Sequence, residues 1–434
     1  MATTGPNAGS SIGDDERLIR FERVPSYPEF FERCLLPNRP CILPAALVAH
    51  WPVIASRAWE LAAPSSSPSA EASVDWEALK REYGTQTSPV VLTRARGAAT
   101  EDERTEMSIA SAIELIQSLP GNEDGLRSVY IKDWHMVKQL TGQGEPYKVP
   151  AVFADDWMNN LPTRAEVDDF RFVYAGTADT QTLLHRDVYT SYSWSTNVVG
   201  RKRWWLFPPH TIPALRRFPQ VETSQLVPDI ATLLSTITSP ATSARKEYPE
   251  LEHAWQNVQI IDQAAGETVF VPSNWHHQVL NLSDCISINR NWCNAVNLPS
   301  LYSAIVAELA HVEDSLCDVR DMLASAPPAT HGGGKDEWKR EFYALVQDVA
   351  VQDAGWAWAG FWNMVLRNVE HPATSEELRP PDEWVQQRLL PLVEDFETRE
   401  DAEWLDPKIR QTAQRCKVLL QNVGDGLKGD GTDT

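Results

Sequence analysis

The middle third of the chain carries short segments rich in β-branched and aromatic residues, and turn residues separate each segment from the next. Segments of this kind are typical of strands. Several strands at this spacing predict an antiparallel sandwich or barrel. The predicted strands are RFVYAGTA (171–178), YSWSTNVV (192–199), KRWWLFP (202–208), NVQIID (257–262), ETVFVP (267–272), HHQVLNL (276–282) and CISINRNW (285–292).

Apolar residues at helical spacing flank this β region. The long stretch 209–256, inside the region, is expected to carry helices of its own. After the last strand, apolar residues recur every three or four positions at 301–323 and again from Trp338 onward. Before the first strand, the pattern predicts helices at 27–35, 45–50, 75–83 and 107–118, and a strand at 88–93.

These elements together predict a mixed α+β protein with a β core and a helical C-terminal region. Two runs of small residues, PSSSPSAEAS (64–73) and APPATHGGGK (326–335), are typical of a flexible insertion and a linker. The predicted parts are a flexible N-terminus (1–18), an N-terminal α/β region that packs on the core (19–124), the core (125–297) and the helical region (298–434).

The composition of the 434 residues is that of a globular protein with a marked acidic excess, 60 acidic against 39 basic residues. This charge argues against nucleic acid or an anionic membrane as the main partner and suits a basic protein or peptide. No run approaches the roughly 18 consecutive apolar residues of a membrane span, and the N-terminus does not resemble a signal peptide. Scattered cysteines without a CxxC pair fit a reduced, intracellular protein, which we expect to be cytoplasmic.

Two candidate metal ligands lie close together in TLLHRDVYTSYSW, where one residue separates His185 from Asp187. Residues i and i+2 of an extended strand point to the same face, so the imidazole and the carboxylate can approach one ion. The pair alone is a weak signal, because two surface polar residues at this spacing are common. A metal site therefore needs a third ligand.

The stretch GETVFVPSNWHHQVLNL offers two candidates for the third ligand, His276 and His277. Neighbouring residues of a strand face opposite ways, so one of them can join His185 and Asp187 if both strands belong to one barrel. Two histidines and one carboxylate would leave three coordination positions open, which is the arrangement of non-haem Fe(II) oxygenases. A closed structural zinc site would leave none open.

Lys202 lies in a strand whose other residues are mostly apolar and aromatic, KRWWLFP. A lysine that points inward from such a strand needs an anionic partner, because an unpaired buried charge is costly. A dicarboxylate cosubstrate would supply that partner. Alternation alone does not decide the orientation: Lys202 could equally point to solvent as part of the basic run RKR.

The motifs HxD, GxKRWxxFP and GExxFVPxxWxHxVxNL, in this order over 125–295, resemble those of the JmjC-domain 2-oxoglutarate oxygenases. The outer ligands are 277 − 185 = 92 positions apart. The resemblance implies a double-stranded β-helix core, also called a cupin or jelly-roll core, that binds Fe(II) and 2-oxoglutarate and consumes O2. In the family the last metal ligand falls five residues after the proline of FVP, which assigns His277 and leaves His276 beside the site or at the surface.

The resemblance also assigns residues to the distal carboxylate of 2-oxoglutarate. Lys202 matches the lysine that binds this group. Thr182, three positions before His185, matches a serine or threonine that helps the lysine. Tyr130, in VYIKDWH, resembles a tyrosine that contacts the same carboxylate.

Polar residues on the last core strand and on a neighbouring strand complete the implied site. Ser287, Asn289 and Asn291 share one face by alternation. Asn289 and Asn291 match polar positions beside the cosubstrate and the metal. Ser195 stands where many relatives place an asparagine, and since a hydroxyl offers fewer hydrogen bonds than an amide, its role stays open.

Within the family, the chain resembles the group called Jumonji domain-containing protein four. The phrases YIKDWH (130–135), DDWMN (155–159) and HRDVYTSYSWSTNVVGRKRWWLFPP (185–209) carry this likeness. That group is associated with lysyl hydroxylation of the eukaryotic peptide-chain release factor. The resemblance therefore implies a protein substrate of that kind and ascorbate as a stimulant, and it leaves the oligomeric state open.

Three other functions remain open from the sequence. A histone or protein lysine demethylase would use the same iron chemistry on an N-methyl carbon, but the chain carries no cysteine-rich zinc module or reader domain. A catalytically inactive cupin-like binding protein is an alternative of another class, and the complete ligand set with Lys202 argues against it. A metal-dependent isomerase on the same barrel would not need a cosubstrate lysine.

Overall fold

The structure is a computed structural model that describes residues 18–62, 72–96, 99–120, 125–141, 144–160, 170–232, 246–326 and 336–425. The predicted flexible N-terminus, the insertion at 64–73 and the linker at 326–335 lie almost entirely outside these ranges. Their predicted character is therefore not tested.

Two β-sheets that face each other form the centre of the molecule. Every strand predicted between 171 and 292 is present, as β8 and β10 to β15 in the numbering that follows. In chain order the strands are β1 (Ile19–Arg20), β2 (Cys41–Leu43), β3 (Glu60–Leu61), β4 (Ser73–Val74), β5 (Thr87–Arg96), β6 (Ala99–Ser108), β7 (Leu126–Trp134), β8 (Arg171–Gly176), β9 (Gln181–Arg186), β10 (Tyr192–Val199), β11 (Lys202–Phe207), β12 (Gln259–Gln263), β13 (Thr268–Val271), β14 (His276–Asn281) and β15 (Cys285–Trp292).

The larger sheet has nine strands in the order β1-β2-β13-β10-β15-β8-β7-β5-β6, and the smaller has four in the order β12-β11-β14-β9. Neighbouring strands run antiparallel, except for β1 and β2. Apolar side chains from both sheets, including Ile42, Val269, Leu206 and Val279, form one buried cluster. Such inter-sheet burial is what holds a jelly-roll core together.

The N-terminal region departs from the predicted helices at two places. The helix predicted at 27–35 is a short α-helix that continues as a π-helical turn, Phe31–Leu35. The helix predicted at 45–50 is wrong: the chain forms a 3-10 turn at Ala45–Leu47 and begins a helix only at Pro52, since proline fits the first helical position. The helices here are α1 (Tyr27–Phe30), α2 (Pro52–Ala55), α3 (Trp76–Tyr83) and α4 (Ile109–Ser118).

Strand β6 has no counterpart among the predicted strands. Half of its sequence ATEDERTEMS is charged, and the strand shows no apolar alternation, because β6 lies at the edge of the larger sheet and, among the described strands, pairs only with β5. Charged residues on an edge strand also discourage pairing with other chains. The predicted helix at 107–118 begins two residues late, at Ile109, because β6 extends to Ser108.

The C-terminal region is helical, as predicted, and completes a mixed α+β fold. The helical pattern at 301–323 is confirmed, but the chain breaks at Leu316 and forms two helices that both contact the next one. The stretch 209–256 carries a 3-10 segment, Pro209–Leu215, and one of the helices named below. The remaining helices are α5 (Leu251–Gln256), α6 (Leu298–Ser315), α7 (Cys317–Ser325), α8 (Trp338–Ala354), α9 (Trp358–Glu370), α10 (Asp382–Thr398), α11 (Glu400–Trp404) and α12 (Pro407–Asp425).

The C-terminal helices pack directly on the β core. Trp157, Cys293 and Ala295 of the core region share a buried cluster with Leu301 of α6 and Phe361 of α9. Within the described part of the chain, no helix is both long enough and apolar enough to cross a bilayer. The division of the chain into four parts stays a prediction.

Candidate active site

Three side chains that can bind a metal ion meet between the two sheets. One ligand atom from each of His185, Asp187 and His277 lies within 4.8 Å of the others, and the two imidazole rings are 4.2 Å apart between centroids. His185 belongs to β9, which ends at Arg186, and Asp187 follows in an extended conformation with φ of −61° and ψ of 148°. Extended backbone at both residues is what brings imidazole and carboxylate to one side.

Strand pairing decides between the two adjacent histidines of β14. His277 lies opposite His185, whereas His276 lies opposite Arg186, so His276 faces the outer side of the smaller sheet. His276 is nevertheless only 6% exposed. Its partner on β11, Phe207, belongs to an apolar cluster with Leu215 that covers this outer side. The alternative that placed His276 at the surface is therefore wrong.

Neighbouring groups prepare the three side chains for a metal ion. Nδ1 of His185 lies 2.8 Å from the carbonyl oxygen of Leu183, and a proton shared there leaves the lone pair on Nε2. Oδ2 of Asp187 accepts a hydrogen bond from Oγ of Ser193 at 2.7 Å. Burial, followed by the neighbouring His185, lowers the pKa of His277 to about 4, so this ring is neutral at physiological pH, as a ligand must be.

This donor set fits the iron that the sequence implies. Two neutral imidazoles and one carboxylate on one side of an ion are the ligands of non-haem Fe(II), and they leave positions open for other molecules. In the part of the chain that the structure describes, these are the only three histidine, cysteine or acidic side chains that could hold one ion together.

A β-bulge places Thr182 on the same side of the sheet as His185. Residues three apart on a regular strand face opposite ways. Here His277 pairs with His185 and Val279 with Thr182, so two steps along β14 correspond to three steps along β9. The extra residue in β9 turns Thr182 back toward the metal side, as a bulge does.

Lys202 points into the space between the sheets and is 2% exposed. Its Nζ donates a hydrogen bond to Oγ of Ser287 at 2.8 Å and lies 5.9 Å from the centre of the Tyr174 ring. No carboxylate of the described residues forms an ion pair with it, and burial lowers the pKa of the ammonium group. An unpaired buried cation fits an anionic ligand. The alternative in which Lys202 points to solvent is wrong.

One cavity of about 450 Å³, including its open mouth, joins these groups. The larger sheet contributes one wall and the smaller sheet the other. The predicted site residues Tyr130, Thr182, His185, Asp187, Ser195, Lys202, His277, Asn289 and Asn291 all line it, together with Tyr174, Ser193, Trp204 and Val279.

The polar wall of the cavity is internally hydrogen-bonded. Oγ of Ser195 donates to Oδ1 of Asn289 at 2.9 Å, and Nδ2 of Asn291 donates to Oγ of Ser191 at 3.1 Å. Burial raises the pKa of Tyr130, so its phenol keeps its proton and can donate to an anion. This wall therefore presents fixed amide and hydroxyl groups to a ligand.

Four lining residues were not among the sequence candidates, and one of them, Trp204, lies two positions after Lys202 on β11. Ser193 lies two positions before Ser195 on β10, and Val279 lies two positions after His277 on β14. Alternation alone would have placed both on the cavity face. Tyr174 offered no such signal, because no other residue of β8 was a candidate.

Known proteins share this core. A family model described as Cupin-like domain matches residues 27–297. Similar proteins include "2-oxoglutarate and iron-dependent oxygenase JMJD4" of Homo sapiens, 35% identical over 72% of this chain and 70% of its own length. The protein of the same name from Danio rerio is 34% identical over 70% of this chain and 66% of its own length. "Arginine-specific demethylase JMJ20" of Arabidopsis thaliana is 32% identical over 72% of this chain and 64% of its own length.

The jelly-roll core, the His-Asp-His cluster and these matches define a cupin-like oxygenase that depends on iron and 2-oxoglutarate. Within that class, the chain belongs to the JMJD4 group. It spans about two thirds of the length of these relatives, between 65% and 70%. Iron and 2-oxoglutarate are therefore its cofactor and cosubstrate.

Proposed function

We propose that this protein hydroxylates a carbon of a lysine side chain in the eukaryotic peptide-chain release factor. The oxygenase class follows from the family, and the lysine and the release factor are carried over from the group that the sequence resembles. One observation carries the reaction class: a buried, unpaired Lys202 shares a cavity with His185, Asp187 and His277. A cation and an iron site in one cavity suit a cosubstrate with one anionic end at each.

The metal ligands have distinct tasks in this proposal. His185, Asp187 and His277 would hold Fe(II), and for the first two a hydrogen-bonded neighbour sets the orientation of the ligand atom. For His185 that neighbour is the carbonyl of Leu183, and for Asp187 it is the hydroxyl of Ser193. Fixed ligands lower the cost of ordering the site when the metal binds.

The cosubstrate contacts divide between its two ends. Lys202, Thr182 and Tyr130 would bind the distal carboxylate of 2-oxoglutarate, which supplies the missing counter-charge for Lys202. On the opposite wall, Asn289 and Asn291 would orient the cosubstrate beside the metal. Ascorbate would act only to keep the iron reduced.

When bound, iron and 2-oxoglutarate supply the oxidising chemistry: O2 is consumed, 2-oxoglutarate becomes succinate and CO2, and one oxygen atom enters a substrate C–H bond. The chain needs no acid or base of its own for this reaction. Its part is to orient the reactants and to exclude water. The Trp204 ring, 5.7 Å from the ring of His277, and Val279 provide apolar surface for that purpose.

The substrate assignment is tested by incubating the protein with the purified release factor, Fe(II), 2-oxoglutarate and ascorbate. Mass spectrometry should find one lysine heavier by one oxygen atom and an equal amount of succinate. His277→Ala should abolish both products, because it removes a metal ligand. Succinate that depends on the release factor without a hydroxylated lysine would contradict the proposal.

Demethylation is a second candidate, and one observation favours it: two relatives, JMJ20 and JMJ22 of Arabidopsis thaliana, are named arginine-specific demethylases. The same site would then oxidise an N-methyl carbon and release formaldehyde. Comparing unmodified, methyl-lysine and methyl-arginine peptides separates the two, because only a demethylase forms formaldehyde. A protein that binds Fe(II) and 2-oxoglutarate but turns over none of these substrates would instead support the inactive binding protein considered above.

A further inference from the structure

The segment DDWMNN (155–160) lies against the reverse side of the strand that carries Asn289 and Asn291, and the proposed reaction gives it no role. Asp156 and Arg290 form an ion pair there, with Oδ2 and Nε 2.7 Å apart. Both side chains are almost fully buried, at 5% and 10% exposure. A buried pair of this kind gains little net stability, because the cost of removing two charges from water offsets their attraction.

The ion pair holds β15 at the residue between Asn289 and Asn291, which both line the cavity. Arg290 lies between Asn289 and Asn291, and alternation sends its side chain to the face opposite the cavity. The carboxylate of Asp156 also accepts hydrogen bonds from Asn159, from the backbone N at 3.1 Å and from Nδ2 at 2.8 Å. Nδ2 of Asn159 in turn donates to the carbonyl oxygen of Asn291 at 3.0 Å. The segment therefore fixes the side chain of Arg290 and the backbone of Asn291.

Helix α9 holds the same segment from its other side. Asn368, 2% exposed, donates from Nδ2 to the carbonyl oxygen of Trp157 at 3.2 Å. Its Oδ1 accepts a hydrogen bond from Nδ2 of Asn160 at 2.9 Å. Arg367 donates to the carbonyl oxygen of Asn160 at 3.0 Å. A continuous series of polar contacts thus runs from the C-terminal helices to the cavity wall.

We propose that Asp156 and Asn159 are positioning residues for 2-oxoglutarate: they hold β15 from behind so that Asn289 and Asn291 project correctly into the cavity, and Asn368 keeps them in place. The C-terminal helices then contribute to cosubstrate affinity without touching the cosubstrate. The inference rests on the proposed role of Asn289 and Asn291. Contacts that orient primary ligands typically change affinity or activity by about 10- to 100-fold when they are removed.

The test measures binding rather than turnover, by calorimetric titration of 2-oxoglutarate into the anaerobic Mn(II)-loaded protein. Asn159→Ala removes the contact to Asn291 and leaves the ion pair intact. The double variant Asp156→Asn with Arg290→Gln removes the ion pair and leaves no unpaired charge. We expect each to raise the Kd for 2-oxoglutarate about tenfold or more, with unchanged affinity for Mn(II). Asn368→Ala should shift the Kd in the same direction.

Asp401→Asn is the matched control. Asp401 is as buried as Asp156, at 5% side-chain exposure, and is paired with Arg399 at 2.9 Å, but it lies among the C-terminal helices. This variant should lower the unfolding temperature and leave the Kd unchanged. Unchanged binding in Asn159→Ala and in the double variant, or an equal loss in Asp401→Asn, would overturn the positioning role. If the native protein itself binds no 2-oxoglutarate, the proposed function fails first.

Discussion

The hydroxyl of Ser195 on β10 donates a hydrogen bond to Oδ1 of Asn289 on β15, with 2.9 Å between the oxygens. The two residues are direct neighbours in the register of the two strands. Since this contact occupies Oδ1, it fixes which end of the amide stays available, and Nδ2 is left to donate toward an anion in the cavity. The hydroxyl of Ser195 thus orients the amide of Asn289.

Replacing Ser195 with alanine should therefore weaken cosubstrate binding. Loss of one orienting hydrogen bond corresponds to about 1 kcal/mol, or roughly a fivefold higher Kd for 2-oxoglutarate. Titration of the Mn(II)-loaded protein measures this change. Ser195→Thr keeps the hydroxyl and should bind 2-oxoglutarate like the native protein. Equal affinity in Ser195→Ala would mean that Asn289 needs no help to face the cosubstrate.

The adjacent histidines of β14 provide an internal comparison. His277→Gln should lose metal binding and turnover, because it removes one of three ligands. His276→Gln should retain both, because His276 faces the outer side of the smaller sheet. The two variants differ only in which face of one strand is altered. Metal content by atomic absorption, measured after dialysis against Fe(II), checks the prediction, and loss of iron in His276→Gln would contradict the assigned register.

Ser193 controls the orientation of Asp187 through their 2.7 Å hydrogen bond. Ser193→Ala should lower the affinity for Co(II) about tenfold, since contacts behind a metal ligand have effects of that size. The d–d absorption of Co(II) reports binding without any turnover. Thr196→Val is the control, because Thr196 lies on the same strand but hydrogen-bonds to Thr268, away from the ligands. An unchanged Co(II) affinity in Ser193→Ala would show that Asp187 is held by other contacts.

Alternation along single strands predicted much of the site, but it could not predict which residues of neighbouring strands lie opposite each other. It placed Asn289 and Asn291 on one face, and the structure agrees. It could not decide between His276 and His277, because that choice depends on the strand across from them. Thr182 reaches the cavity only through the bulge in β9, and no local pattern in the sequence marks that extra residue.

Contacts between distant parts of the chain could not be predicted from the sequence either, because local patterns do not identify distant partners. Asp156 and Arg290 are 134 positions apart, and nothing in either neighbourhood names the other as its partner. The helix break at Leu316 has a similar cause, because both halves pack against α8, which begins beyond the linker. The charged strand β6 lacked apolar alternation because it is an edge strand. In each case tertiary contacts decided the outcome rather than local propensity.

Lys202 supports the last prediction, which concerns stability and binding together. Its ammonium group is buried without a counter-charge in the described residues, so the empty protein bears the cost of that burial. Lys202→Met keeps similar length and removes the charge. The variant without ligand should therefore be more stable than the native protein, by about 1 kcal/mol or more, as when buried charges are replaced by apolar groups of similar volume.

The same substitution should abolish the stabilisation that 2-oxoglutarate provides. A ligand that binds only the folded state raises the unfolding temperature of the native Mn(II)-loaded protein, whereas Lys202→Met lacks the cation that anchors the distal carboxylate. Thermal unfolding with and without 2-oxoglutarate measures both effects. Arg203→Met is the control on the same strand: Arg203 pairs with Asp262 at 2.6 Å outside the cavity, so its loss should leave the ligand-induced shift intact. A Lys202→Met protein that 2-oxoglutarate still stabilises would refute the role of Lys202 as the anchor of the cosubstrate. A Lys202→Met protein that is less stable without ligand would refute the cost of burying the charge.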